Sequence, residues 1–258
     1  MKPAPPLSLS GTALLLDVDG TLLDFNDNPD EVVADRALIA TLCGIRQRLE
    51  GALALVSGRT LGSLDRLFTP HRFAAAGAHG AEVRLLSGQG GRETVDTFPR
   101  SALQTLRAFA AVAPGLLVEE KTYGAALHYR RAPNMAGRCQ RFVRDLVDSL
   151  GSRYRLVTGN EVVEVAPSEY DKGTGVQSLL AAEAFTGRTP IFVGDDEPDE
   201  PAFQAVNDLG GTSIRVGRSA FSAARYFLDD VVGVRAWLQQ AVATASGEYQ
   251  GSTSLAQR

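Results

Sequence analysis

The stretch Thr12-Ala13-Leu14-Leu15-Leu16-Asp17-Val18-Asp19-Gly20-Thr21 decides the fold class. Its apolar residues fall on both parities from Thr12 to Val18, so the run suits a strand covered on both faces. That is the habit of parallel sheets. Working outward, the spacing predicts a helix over 29–50. Pro29 suits the first turn, Val32, Val33, Leu38, Leu42, Ile45 and Leu49 keep helical spacing, and Gly51 ends it. A second buried strand, Ala52 to Val56, stops at Ser57-Gly58-Arg59. A short helix through Leu61, Leu64 and Leu67 leads to a third strand, Phe73 to Gly77. This β-α-β-α-β order predicts right-handed crossovers and an α/β, doubly wound parallel-sheet (Rossmann-like) core. The residues before it, 1–10, read as a loose leader.

The rhythm then changes. The polar, glycine-bearing segment Glu82 to Phe98 suggests a hairpin, and Ala102 to Ala113 an amphipathic helix. Alternating runs Leu116 to Glu119 and Ala125 to Arg130 flank Lys121-Thr122-Tyr123-Gly124. A helix over 134–150 precedes strands Tyr154 to Val157 and Glu161 to Val165 around Thr158-Gly159-Asn160. Such short strands and helices are α+β, so 100–168 is expected to be an inserted cap domain. The core is then 1–99 and 169–245. In its second part a helix over 173–186, strand Pro190 to Val193, a helix near 198–208, strand Ser213 to Val216 and a last helix through Val234 and Trp237 restore the α/β rhythm. The polar residues 246–258 are expected to be a disordered tail.

Composition narrows the function classes. With 258 residues, 44% apolar and 22% charged, the chain is an ordinary globular protein. A net charge of −4 argues against a nucleic-acid binder. No apolar run is long enough to span a membrane, and Met1 to Ser10 does not read as a signal peptide. Cys43 and Cys139, far apart in apolar helical patterns, read as buried free thiols, which points to the cytoplasm.

In open parallel sheets ligands bind beyond the carboxyl ends of the strands. Three expected strands end there in chemistry: Asp17 and Asp19 after the first, Ser57 and Arg59 after the second, Asp195, Asp196 and Asp199 after Pro190 to Val193. Lys172 opens the helix that returns from the insert. Acids gathered this closely repel and call for a cation, and oxygen-only donors with open positions suit Mg²⁺. An aspartate attacking phosphorus would split a slow hydrolysis into two steps, while its neighbour shuttles the proton.

The order Asp17-Val18-Asp19-Gly20-Thr21, Ser57, Lys172 and Gly194-Asp195-Asp196 with Asp199 resembles the four motifs of the haloacid dehalogenase superfamily of phosphatases. Val56-Ser57-Gly58-Arg59, Gly77-Ala78-His79-Gly80-Ala81-Glu82, Ala126-Leu127-His128-Tyr129-Arg130 and Gly194 to Glu200 further resemble the bacterial trehalose-6-phosphate phosphatase family, over about residues 10–240. The resemblance implies hydrolysis of trehalose 6-phosphate to trehalose and phosphate through an aspartyl-phosphate, and a functional link to trehalose-6-phosphate synthase. It implies that Asp17 is the nucleophile and a Mg²⁺ ligand. Asp19 would be the general acid/base, binding the metal through its carbonyl. Asp195 would be a direct ligand, and Asp199 would act through water or orient Lys172. Ser57, Gly58, Arg59 and Lys172 would hold the phosphate.

Two departures, Pro198 where the family commonly shows Thr and Pro167-Ser168-Glu169-Tyr170-Asp171 before Lys172, touch loop geometry only. Asp196 is left between a cap of the next helix and a role of its own. A disaccharide presents hydroxyls, so polar residues facing the cap are expected to read it: Lys121 and Glu164 in the cap, His79 and Glu82 after the third core strand. His128 is expected to be a packing residue. Phosphatases of other sugar phosphates, such as sucrose 6-phosphate or mannosyl-3-phosphoglycerate, share the core motifs. A receiver-type phosphoacceptor shares the acid cluster and lysine, but not the second aspartate or the insert.

Overall fold

Leu14, Leu15 and Leu16 expose no surface, as a strand covered on both faces requires. The structure is a computed structural model describing residues 1–25, 33–86, 91–92 and 97–253. The elements run β1 (Lys2–Pro3), β2 (Thr12–Leu16), α1 (Arg36–Arg48), β3 (Leu53–Val56), α2 (Leu61–Leu67), β4 (Ala74–Gly77), β5 (Glu82–Arg84), β6 (Gly91–Arg92), α3 (Arg100–Ala110), β7 (Leu117–Glu120), β8 (Ala125–His128), α4 (Ala136–Leu150), β9 (Tyr154–Gly159), β10 (Val162–Pro167), α5 (Lys172–Leu180), β11 (Thr189–Gly194), α6 (Glu200–Asp208), β12 (Thr212–Val216), β13 (Tyr226–Leu228) and α7 (Val231–Thr253).

One nine-stranded sheet has the order β1-β13-β12-β11-β2-β3-β4-β5-β6. It is parallel from β1 to β4, and β5 and β6 add an antiparallel edge. The strand order reverses at β2, which lies between β11 and β3. A crevice opens at such a reversal, beyond the carboxyl ends of the strands. Helix α1 turns Leu38, Leu42 and Ile45 inward onto the sheet. Full burial of each such side chain is worth roughly 1.5–3 kcal/mol.

The second sheet, β7-β8-β10-β9, is antiparallel throughout. Its register separates two faces. Ala125, Leu127, Val163 and Val165 pack into a separate apolar cluster with Leu103 and Leu106 of α3 and Cys139 and Val143 of α4. Phe109 and Phe142 stack between those helices with ring centroids 3.9 Å apart. The opposite parity carries Glu119, Ala126, His128, Val157, Val162 and Glu164. Covered on one side by helices, the sheet offers this face, with Glu119, His128 and Glu164 among small apolar side chains, to the crevice.

Five expectations are corrected. The helix read as starting at 29 begins at Arg36, because the Asp35 side chain accepts the Leu38 N–H at 2.8 Å and fixes the first turn there. Val33 is 76% exposed, and Pro29 and Val32 lie outside the described residues. Residues 1–10 are not a loose leader. Lys2 and Pro3 pair with β13, an edge strand not anticipated from sequence, Leu7 joins the core, and the Trp237 indole N–H donates to Pro5 O at 2.7 Å. The helix expected over 173–186 ends at Leu180, the chain turning back through Ala182 to reach β11. Of the segment read as a tail, 246–253 belongs to α7, which meets no proline there to stop it, and 254–258 lie outside the described residues. Cys43 is half-buried rather than buried, and both cysteines are free.

Candidate active site

Strand β2 delivers Asp17 at its carboxyl end, and the Asp17 N–H still donates to Val193 O of β11 at 2.9 Å. The chain then turns sharply through Gly20, at φ +81°. A Cβ at this glycine would overlap the Asp195 carboxylate, so the position must be bare for the two acidic segments to meet. Gly194 serves the same purpose at the end of β11, where a Cβ would overlap the Asp199 carboxylate.

Asp199 organises the cluster. It is fully buried, and its Oδ2 accepts the N–H groups of Asp195 and Asp196 at 2.9 and 3.0 Å. Its Oδ1 accepts from Lys172 Nζ at 2.6 Å, and Lys172 also donates to Asp17 Oδ1 at 2.6 Å. Lys172 is aimed by the start of α5, where Asp171 and Thr174 form a capping box. Thr21 Oγ1 lies 3.3 Å from Asp17 Oδ2 and 3.4 Å from Asp195 Oδ1, which marks where those two carboxylates converge.

The electrostatics call for more positive charge. Burial holds the Lys172 ammonium back, but Asp17 and Asp199 outweigh it and keep the group charged well above the usual lysine range. Burial, with Asp199 and Asp19 nearby, pushes Asp17 up to about 7 despite Lys172. Burial together with Asp17 and Asp199 pushes Asp195 up to about 9. Asp17, Asp195 and Asp199 each place an oxygen within 4.8 Å of the others. Both Asp199 oxygens are already committed, so Asp17 and Asp195 are the carboxylates with oxygens to give. An all-oxygen donor set short of positive charge fits a hard divalent cation.

Ser57 follows β3, buried, and its Oγ accepts the Arg59 N–H at 3.1 Å, which leaves its O–H to donate. Arg59 lines the same cleft as Ser57. Nε donates to Asp19 Oδ2 and Nη2 to Asp19 Oδ1, both at 2.7 Å, a two-pronged grip on the partner acid. Asp196 accepts from Glu197 N–H at 2.8 Å and caps the turn into α6, which accounts for the residue whose role sequence left open.

Between core and cap lies a cleft of about 980 Å³ including its open mouth. Asp17, Asp19, Ser57, Gly58, Arg59, Lys172 and Asp195 form its floor, and cap residues form its roof. Lys121 and Glu164 are both there, buried and paired at 2.5 Å, and Lys121 also donates to Gly58 O at 3.0 Å. His79 reaches the cleft from the core and meets Glu164 at 3.2 Å.

Glu82 is the candidate the structure moves away. Its carboxylate accepts the Leu61 N–H at 2.6 Å at the start of α2, and Glu82 is not among the residues that line the cleft. The start of α2 draws it there, because that helix exposes N–H groups and a positive dipole end. Sequence reasoning passed over Phe25, Glu119, Arg130, Asn160 and Glu161, and took His128 for packing; all line the cleft. His128 Nε2 lies 2.9 Å from Glu119 Oε2, and Arg130 Nε donates to Glu161 Oε2 at 2.7 Å. The signal was present as strand parity: Glu119, His128 and Glu164 share the sheet face opposite to Leu127 and Val163.

Residues 15–231 match the family described as trehalose-phosphatase. A probable trehalose-phosphate phosphatase of Sinorhizobium fredii is 41% identical over 211 residues, 81% of this chain and 79% of that protein. The trehalose-6-phosphate phosphatase of Escherichia coli is 36% identical over 228 residues, 88% of this chain and 85% of the relative. A bifunctional trehalose-6-phosphate synthase/phosphatase of Thermoproteus tenax is 32% identical over 237 residues, 31% of its length. Among solved structures, the C-terminal domain of C. albicans trehalose-6-phosphate phosphatase superposes with a TM-score of 0.82 at 19% identity, covering 94% of this chain and 98% of that one. The doubly wound core with an inserted cap is therefore a shared fold.

Proposed function

Because this chain belongs to the trehalose-phosphatase family, we propose that it hydrolyses trehalose 6-phosphate to trehalose and phosphate. The observation that carries this reading is Asp17 and Lys172, with Asp199 buried behind them to complete a triad, facing across one cleft a cap sheet that presents Glu119, His128 and Glu164 among small apolar side chains. The triad suits a phosphoryl group and the cap a ring of hydroxyls.

Asp17 is the nucleophile of the proposed mechanism. One carboxylate oxygen is held by Lys172, which leaves the other to attack phosphorus in line with the departing sugar oxygen. The P–O bond to the sugar breaks as the Asp17–phosphorus bond forms. Asp19, whose two oxygens Arg59 grips here, gives a proton to the leaving alkoxide once that grip opens and its carboxyl is protonated. It then takes one from a water that attacks the aspartyl-phosphate and restores Asp17. Ser57 and Lys172 donate to the phosphoryl oxygens. Asp17 and Asp195, with the Asp19 carbonyl, would hold Mg²⁺, which when bound neutralises charge on the phosphoryl oxygens. Lys121 and Glu164, with Glu119 and Arg130, are the cleft residues we assign to the sugar hydroxyls.

The fused relative supports a functional link to a trehalose-6-phosphate synthase. The free thiols of Cys43 and Cys139 support a cytoplasmic setting. Among the described residues no helix is long and apolar enough to cross a membrane.

The test is phosphate release across a panel of sugar phosphates, with chelator and with added Mg²⁺. Trehalose 6-phosphate is expected to be the preferred substrate, and turnover is expected to stop on chelation and return with Mg²⁺. Preference for another sugar phosphate, or turnover indifferent to Mg²⁺, overturns the reading.

A further inference from the structure

The turn after β4 has a backbone that nothing in its immediate sequence requires. Ala78, His79 and Gly80 take φ of +46°, +54° and +95°, three left-handed residues in a row, two of them with side chains. Such conformations persist where the surroundings over-determine them, and they concentrate at functional sites. Here the surroundings are three parts of the candidate site. Ala78 N–H donates to Arg59 O at 2.7 Å and His79 N–H to Ser57 O at 3.1 Å, so the turn is fastened to the phosphate-binding segment. Gly80 sits so close to the Asp171 carbonyl that a Cβ would overlap it, so the turn is also wedged against the start of α5, one residue from Lys172.

The His79 ring leaves this clamped turn and crosses to the cap. Its Nε2–Cε1 edge comes up against Gly58, where an added Cβ would stand 2.7 Å from Nε2 and 2.8 Å from Cε1. Nε2 lies 3.2 Å from Glu164 Oε2 in β10. The ring is 7% exposed, and Nδ1 is buried without a hydrogen-bond partner among the described residues. Nε2 therefore carries the proton and donates it, and the ring has one polar contact to make, with Glu164. Burial lowers the imidazole pKa, which keeps the ring neutral in that role.

We propose that His79 is a positioning residue, fixing the cap carboxylate of Glu164 against the Ser57-Gly58-Arg59 turn so that the sugar-reading and phosphate-holding ends of the cleft keep one separation. This replaces the expectation that His79 itself contacts the disaccharide, and it rests on the sugar-phosphate reading of the cleft. A substrate that spans both ends feels the separation. A small aryl phosphate, which occupies only the phosphate end, does not.

His79→Asn keeps a residue tolerant of positive φ but too short to reach Glu164. His79→Gln restores a donor at the reach of Nε2. In His79→Asn, kcat/KM for trehalose 6-phosphate is expected to fall on the order of ten-fold, the scale of one lost hydrogen bond to a charged group, mostly through KM. For p-nitrophenyl phosphate it is expected to stay within about two-fold, and His79→Gln is expected to recover most of the loss. In a Glu164→Ala background His79→Asn is expected to cost less than about two-fold more, because its route is already cut. Equal losses on both substrates, or a full loss repeated in the Glu164→Ala background, overturn the proposal. A second measurement is independent of any substrate. Hydrogen exchange of the unliganded protein is expected to quicken in β10 in His79→Asn, and unchanged exchange there also overturns it. Should the wild-type protein release no phosphate from trehalose 6-phosphate, the functional reading fails, and exchange alone still decides the role of His79.

Discussion

Replacing Asp199 by Asn removes one charge and almost no volume, so its effect isolates electrostatics from packing. The carboxylate is fully buried and accepts three hydrogen bonds: from Lys172 Nζ at 2.6 Å and from the N–H groups of Asp195 and Asp196 at 2.9 and 3.0 Å. An amide has one acceptor oxygen. If that oxygen stays on the two N–H groups, its NH₂ faces the Lys172 ammonium; if it turns to Lys172, the NH₂ faces the two N–H groups. Either way donors oppose donors in a site without water-exposed relief, and a charge-assisted bond worth about 1.5–3 kcal/mol is lost. Lys172 is left with Asp17 alone. Breaking a buried charge pair costs about 3–5 kcal/mol. For a chain of this size about 1 kcal/mol corresponds to about 2–4 °C, so Asp199→Asn is expected to melt about 10 °C below wild type. The assay is thermal unfolding without added metal, with Asp208→Asn as control. Asp208 accepts from Gln204 on an exposed helix face, and its replacement is expected to cost about 0.5 kcal/mol or less. Melting of Asp199→Asn within about 2 °C of wild type would refute the claim that Asp199 neutralises and locks Lys172.

Three further outcomes are expected. Asp17→Asn abolishes turnover while leaving the circular dichroism of the fold unchanged; turnover near the wild-type rate removes Asp17 from the nucleophile role. Glu82→Ala lowers stability by about 1–2 kcal/mol through the lost cap on α2, with KM for the sugar phosphate unchanged; a raised KM at unchanged stability would return Glu82 to the cleft. Burial opposes ionisation of Glu164, but Lys121 and His79 outweigh it and hold the carboxyl below its ordinary 4.5. A depressed carboxyl stabilises the fold above its unfolded value and loses that contribution as pH falls through the folded one. Below about pH 4.5 the wild-type protein is therefore expected to lose stability more steeply than Glu164→Gln. Parallel denaturation midpoints from pH 7 to pH 3 would contradict this.

Residue chemistry alone carried a large part of the site. Three β-α units with unbroken apolar runs can be buried only as parallel strands, and parallel strands put their carboxyl ends on one edge. Asp17, Ser57, Lys172 and Asp195 were therefore placed together from their positions just after strands or at a helix start. The cap was harder. Its strands alternate, but which parity faces the core and which the helices depends on where α3 and α4 pack. Glu119 and His128 accordingly went unassigned or were read as packing. Glu82 followed the same strand as His79 and was expected at the same place. Its proximity to the start of α2 is a long-range fact that no local pattern carries.

The chain's own order of residues determined the sheet, the edge at which chemistry would occur and the acids that would perform it, because buried apolar periodicity and strand-end position are local properties. Which charges pair was decided only by folding. Arg59 grips Asp19, Lys172 divides itself between Asp17 and Asp199, and Glu164 is shared by Lys121 and His79. Such pairings depend on distances between segments 27 to 155 residues apart in sequence, and a buried charge takes whichever partner the packed chain brings within reach.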